Sequence, residues 1–179
     1  LRIYQFANHT TEEVVRAISD LSSKGIKGIV LDLRYNPGGF LQAAYEIASL
    51  FISKGPILHV VDREQERVPF IARPGQTVDY PLVVLVNGGS ASAAEILAGA
   101  LQDTGRARLV GTQTYGKGVV QHIVPLRNGA ALSVTIAEYL TAGGRHINGV
   151  GLSPDVEIDF PKYTEEELEQ MTVEDFVDV

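Results

Sequence analysis

The chain has 179 residues, 45% of them apolar and 21% charged, with no cysteine and a formal charge of −7. That length suits one globular domain. The missing cysteines exclude a disulfide framework, a thiolate nucleophile and a cysteine zinc site, and no apolar run reaches the ~18 residues of a membrane helix. The charge is unevenly placed: after Lys162 come seven acids and no base, while residues 1–162 are balanced at 15 acids against 15 bases. A neutral body offers no basic stripe to a phosphate backbone, which speaks against nucleic acid as a partner. Residues 1–162 therefore read as one folded core and 163–179 as a solvated acidic tail. The chain starts at Leu1 without a basic and apolar leader, and so reads as a fragment or a processed form.

Ile3 to Ala7 reads as a strand. Thr10 and Glu13 have capping-box spacing, Val14, Val15, Ile18 and Leu21 follow at helical intervals, and Gly25 closes the helix. Ile26 to Leu33 is β-branched and nearly continuous, the pattern of a strand buried on both faces. The turn Asn36-Pro37-Gly38-Gly39 opens a second helix, Phe40 to Phe51, and strands are expected at Ile57–Asp62 and Val68–Ala72. The unit then recurs: strand Leu82–Val86, turn Asn87-Gly88-Gly89, helix Ala93–Leu101. Strands follow at Ala107–Val110, Val119–Leu126 and Ala131–Tyr139, the last two joined by the hairpin signal Asn128-Gly129. A glycine-rich loop, Ala142–Gly151, leads to a final short strand at Val156–Ile158. Strand, turn and helix occur twice with extra strands after each helix, an α/β chain of strand–strand–helix units.

Three glycine-rich turns carry the candidate chemistry. Asn36-Pro37-Gly38-Gly39 is at the least a tight turn, but its exposed N–H groups before a helix suit an oxyanion or a phosphate. In Asn87 to Glu95, Ser92 and Glu95 have capping-box spacing, which gives Ser92 an ordinary N-cap role. A serine between small neighbours at a strand–turn–helix junction is equally where a nucleophile sits, and on this pattern Ser90 and Ser92 compete. Gly111 to Gly118 reproduces most of a P-loop, yet Gly118 stands where a hydroxyl would bind magnesium and a strand follows instead of a helix. Lys117 between two glycines, leading into an apolar strand, is expected to be buried; burial disfavours the ammonium and makes a general base. Alternation along a strand would put Gln121 on the same face as Lys117. The histidines His9, His59, His122 and His146 have no metal-ligand spacing.

Together these segments resemble one family. Val30-Leu31-Asp32-Leu33-Arg34-Tyr35-Asn36-Pro37-Gly38-Gly39, Val84 to Ile96 with its Ser90-Ala91-Ser92, Gly111 to Gln121, and Gly144 to Asp155 occur in the order found in the tail-specific, or carboxyl-terminal processing, serine proteases of peptidase family S41. The resemblance implies a crotonase/Clp-protease-like fold and a Ser–Lys pair: Ser92 as nucleophile, Lys117 as base, Gln121 assisting the lysine. It implies oxyanion donors at the N–H of Ala93 and of Gly38, with Gly39 the neighbouring candidate. The implied function is a serine endopeptidase that cleaves protein or peptide substrates near the C-terminus, without metal or organic cofactor. The implied location is extracytoplasmic: a bacterial periplasm or envelope, or the thylakoid lumen. Family members carry a PDZ domain before this core, and none is seen in this sequence. The alternative is a non-catalytic binding module on the same fold, recognising apolar ligands or protein tails; retention of Ser92, Lys117 and Gln121 argues for the enzyme. Ser92 and Lys117 are expected within hydrogen-bond reach of each other, or within about 4–5 Å in a relaxed site.

Overall fold

The structure is a computed structural model and describes residues 1–159 apart from Gln76 and Asn128; the acidic tail expected at 163–179 lies outside the described residues. Residues 1–7 are extended but form only isolated parallel bridges, Arg2 with Asp32 and Phe6 with Gly39. The helix α1 (Thr10–Ser23) follows. Its expected capping box is absent. His9 is the N-cap and Thr10 is already helical, its hydroxyl accepting from the Ala7 N–H at 2.9 Å and donating to the Gln5 carbonyl at 3.3 Å. The Thr10 hydroxyl thus folds the N-terminal segment back onto α1. Gly25, at φ 72°, ends the helix as expected.

The strand β1 (Ile29–Asp32) is shorter than the apolar run that predicts it. Its burial alternates and Val30 is 53% exposed, so it is not buried on both faces. The reason lies in the layers: among the described residues the helices leave its second face open. Then come α2 (Leu41–Phe51), β2 (Pro56–Asp62), β3 (Arg67–Ile71), β4 (Leu82–Val86), α3 (Ala93–Asp103), β5 (Arg108–Gly111), β6 (Val119–Pro125), β7 (Ala131–Thr141) and β8 (Val156–Glu157). Most boundaries fall within two residues of those expected.

Two four-stranded sheets result, a parallel one in the order β1-β4-β5-β8 and an antiparallel one in the order β3-β2-β7-β6. The helix α3 lies between them, touching β5 on one side and β2 and β7 on the other, with α2 alongside. Its first nine residues, Ala93 to Leu101, are all buried. That explains their small and aliphatic character: a helix packed between two sheets has no solvated face. The chain is thus α/β, with the strand–turn–helix unit occurring as β1–α2 and β4–α3.

Candidate active site

The parallel strands β1, β4 and β5 run in one direction, so the loops after them open on a single edge of the sheet. The carboxyl edge of a parallel sheet is the usual place for a site. Here the three glycine-rich turns meet, far apart in sequence but adjacent in space.

The turn after β4 gives the two serines different surroundings. Ser90 is fully buried; its hydroxyl donates to the Leu33 carbonyl at 2.8 Å and accepts from the Asn87 N–H at 3.0 Å. That hydroxyl ties the β4 turn to the end of β1. Ser92 is only partly buried and is the N-cap of α3, with φ 56° and ψ −117°. Positive φ at a non-glycine residue costs roughly 1–3 kcal/mol and persists only where the surroundings impose it. What imposes it is visible: the Ser92 N–H donates to Glu95 Oε2 at 2.9 Å, while the Ala91 N–H donates to the Asn36 carbonyl at 2.9 Å.

Glu95 does more than cap. It is fully buried, and its Oε2 also accepts the Lys117 N–H at 2.8 Å. One carboxylate oxygen therefore holds the backbones of both Ser92 and Lys117. Its Oε1 accepts the Gly116 N–H at 2.7 Å and the Thr114 hydroxyl at 2.5 Å. Four donors from two segments meet the requirement that a buried carboxylate be hydrogen-bonded. The same bonds explain why Gly111 to Gly118 is no phosphate loop, since its N–H groups at Gly116 and Lys117 already face a carboxylate. The spacing Ser92–Glu95 shows only a cap in sequence; the bonds to Thr114, Gly116 and Lys117 cross between segments and carry no local signal.

Lys117 corrects one expectation. Its backbone is pinned, but its side chain is exposed rather than enclosed. The flanking glycines serve close packing instead: a Cβ at Gly116 would lie 2.8 Å from the Gly151 nitrogen, and one at Gly118 2.7 Å from the Asn148 nitrogen. Gly118 also donates to Asn148 Oδ1 at 3.2 Å and Gly149 to the Gly116 carbonyl at 2.9 Å. Glycine at 116 and 118 is thus explained by the loop 147–151 and not by burial of the amine.

Gln121 is exposed on β6. Strand pairing begins only at Val119, and the β6–β7 register slips between Val120 and Gln121, where β7 contributes an extra residue. The bulged strand is therefore β7, with Ile136 the residue left over between the two pairs.

Gly38 abuts Ser92. At φ 99°, a Cβ there would come within 2.8 Å of Ser92 Cβ and of the Ala91 carbonyl oxygen. The Gly38 N–H donates to Asn36 Oδ1 at 2.8 Å. Among the described residues, the N–H groups of Gly39 and Ala93 have no partner. Asn87 ties the two turns: its Oδ1 accepts the N–H of Tyr35 at 2.9 Å and of Gly89 at 3.0 Å. Beside them, Asp32 receives Arg34 Nε at 2.9 Å and Nη2 at 2.8 Å. Burial pushes the Asp32 carboxyl up, but the hydrogen bonds and charge of Arg34, with the charge of Arg2, outweigh it and hold the group below its ordinary value.

A strained serine at a helix N-terminus, a lysine whose backbone shares a carboxylate oxygen with it, and a glycine turn packed against that serine thus lie together on an α/β scaffold. The chain belongs to peptidase family S41, which residues 1–158 match. It is 47% identical to a carboxy-terminal-processing protease of Bartonella bacilliformis over 167 residues, 90% of this chain and 38% of that protein. It is 45% identical to a carboxyl-terminal-processing protease of Synechocystis over 161 residues, again 90% of this chain and 38% of the relative. In structure it is similar to a photosystem II D1 C-terminal processing protease, with TM-score 0.82, 40% identity, and coverage of 88% of this chain and 41% of that one. The chain thus spans about two fifths of the length of the relatives it matches.

Proposed function

We propose that this chain is the proteolytic core of a serine endopeptidase that cleaves protein substrates near their C-terminus, acting by a Ser–Lys pair. The observation that carries the reading is the shared Glu95 oxygen, which holds the backbones of Ser92 and Lys117 side by side. Ser92 Oγ attacks the scissile carbonyl carbon while its proton passes to the Lys117 amine. The negative charge that develops on the carbonyl oxygen is met by N–H groups drawn from Gly38, Gly39 and Ala93, at the amino end of α3. Collapse breaks the C–N bond and the lysine proton goes to the leaving amine, leaving an ester on Ser92. Water then attacks the ester, giving a proton to Lys117, and as the acyl C–Oγ bond breaks the lysine returns that proton to Ser92 Oγ. Gln121 would steady the amine. Because Lys117 is exposed in this structure, bound substrate would cover its side chain during the reaction. The sequence kinship with processing proteases supports the substrate class and an extracytoplasmic location, in a bacterial envelope or a thylakoid lumen.

The test uses the full-length protein and a peptide ending in a free carboxylate. Ser92→Ala and Lys117→Ala should each lower cleavage by at least ~10³-fold with folding kept, since neither residue can act without the other. Ser90→Ala should keep cleavage. Undiminished cleavage in Ser92→Ala would overturn the assignment. A parent protein that binds the peptide but never acylates Ser92 would favour the binding-module reading.

A further inference from the structure

Asn36 has no role in the reaction as written, yet it is fully buried in the turn between β1 and α2. Its side-chain Nδ2 donates to the Ile3 carbonyl at 2.7 Å, its Oδ1 accepts the Gly38 N–H at 2.8 Å, and its own carbonyl accepts the Ala91 N–H at 2.9 Å. One residue therefore ties the N-terminal segment, the glycine turn and the residue just before Ser92. Buried polar groups left unpaired are strongly unfavourable, so the arrangement is firmly held.

This bonding sorts the candidate oxyanion donors. The Gly38 N–H is taken up by Asn36 Oδ1, and could reach a substrate only by breaking a buried bond. The next N–H along, that of Gly39, has no partner among the described residues, and neither has that of Ala93. The two are neighbours, because a Cβ on Gly38 would lie 3.0 Å from the Ala93 nitrogen. The Gly38–Gly39 peptide is fixed from its other side as well, where the Gly38 carbonyl accepts the Phe6 N–H at 2.9 Å.

We propose that Asn36 is a positioning residue for the cleavage reaction: by holding the Gly38 N–H it orients the glycine turn so that Gly39 and Ala93 supply the two N–H donors to the oxyanion. The inference rests on the serine-protease reading and deepens it.

The experiment is again made on the full-length protein, with Asn36→Ala and Asn36→Asp. Asn36→Ala should lower kcat by about 10²-fold, the lower end of what an oxyanion donor contributes, with KM little changed. Its affinity for a peptide aldehyde, which forms a tetrahedral adduct with Ser92, should fall by the same factor. Affinity for the uncleaved peptide, measured with Ser92→Ala added, should not fall. A merely structural role would not separate those two affinities. Asn36→Asp keeps an acceptor for Gly38, and only its protonated carboxyl can donate to the Ile3 carbonyl. Its activity relative to the parent should therefore rise as pH falls.

Should Asn36→Ala fail to fold, ester bonds incorporated singly in place of backbone amides decide. Removing the Gly39 N–H should cost roughly 10²–10³-fold in kcat, and removing the Gly38 N–H at most about tenfold. Replacing the Phe6 N–H, which deletes only its bond to the Gly38 carbonyl, sets the baseline. A larger loss at Gly38 than at Gly39, or a folded Asn36→Ala with parental kcat, overturns the proposal. If Ser92→Ala is inactive while the Asn36 variants behave as the parent, only the positioning role fails; if Ser92→Ala still cleaves, the underlying reading fails.

Discussion

Glu95 is where the backbones of the two proposed catalytic residues converge, and it shows how one buried polar group positions others. Four donors surround its carboxylate, so replacing it by glutamine places an NH2 group against N–H groups that need an acceptor. Ser90 is the contrasting case, a serine beside the site whose hydroxyl is consumed by structure. Ser90→Ala strands the Asn87 N–H and leaves the Leu33 carbonyl with only the Asn36 N–H as donor, and should cost about 1–3 kcal/mol of stability while sparing the chemistry. Denaturant unfolding beside a cleavage assay reads both effects. Asp32 provides a pH test. Its folded-state value lies below its unfolded value, so the stability it contributes is present above ~3.9 and disappears as pH falls through the folded value. Arg34→Leu removes the guanidinium bonds and charge that help to lower it, leaving the residue-34 N–H and the Arg2 charge. The variant should therefore be less stable than the parent at pH 7, with the gap narrowing in acid, as urea midpoints at several pH values would show.

At the scale of elements, α3 must approach β7 closely, and Gly99 is what permits it. Within a helix, Gly→Ala normally stabilises by up to ~1 kcal/mol. Here a Cβ at Gly99 would lie 2.9 Å from Thr141 Cγ2, a buried β-branched methyl with little freedom to move. The clash should outweigh the propensity, making Gly99→Ala destabilising by about 1–3 kcal/mol. Thr141→Ser deletes that methyl but keeps the hydroxyl that accepts the Arg145 N–H. Thermal unfolding of the double variant should then recover most of the loss; equal melting of single and double variants would show that the contact is not limiting.

Across the whole molecule, stability is unevenly spread. The core gathers around α3 and the parallel sheet, whereas β6 and β7 run out as a two-stranded ribbon beyond their contact with β2. On this ribbon Ile123, Leu132, Val134 and Ile136 are all exposed. A two-stranded ribbon without a packed face is marginal in water. Hydrogen exchange of this chain should therefore be fastest, within strands, over 121–125 and 131–135, and slowest in β4 and α3. Protection of the ribbon equal to that of β4 would contradict this. Apolar side chains exposed on one projecting element also mark a surface that the remaining three fifths of a full-length relative could cover.

The order of elements was readable from the chain because local patterns set it. Leu82–Val86 is an uninterrupted apolar run bounded by turns, Gly25 and Gly39 punctuate helices, and the small residues of Ala93–Leu101 announce a helix under close packing. The family motifs likewise singled out Ser92, Lys117 and the glycine turns, since each is a short stretch of sequence. Position relative to the rest of the fold was not readable. The exposure of Val30 depends on which face the helices cover, and that of Lys117 on how the loop 147–151 folds over its flanking glycines. The convergence of Ser92, Thr114, Gly116 and Lys117 on Glu95, and the capture of the Gly38 N–H by Asn36, are decided by tertiary structure for the same reason. Hydrogen bonds between segments tens of residues apart leave no periodicity in sequence, and only the folded chain determines which donor meets which acceptor.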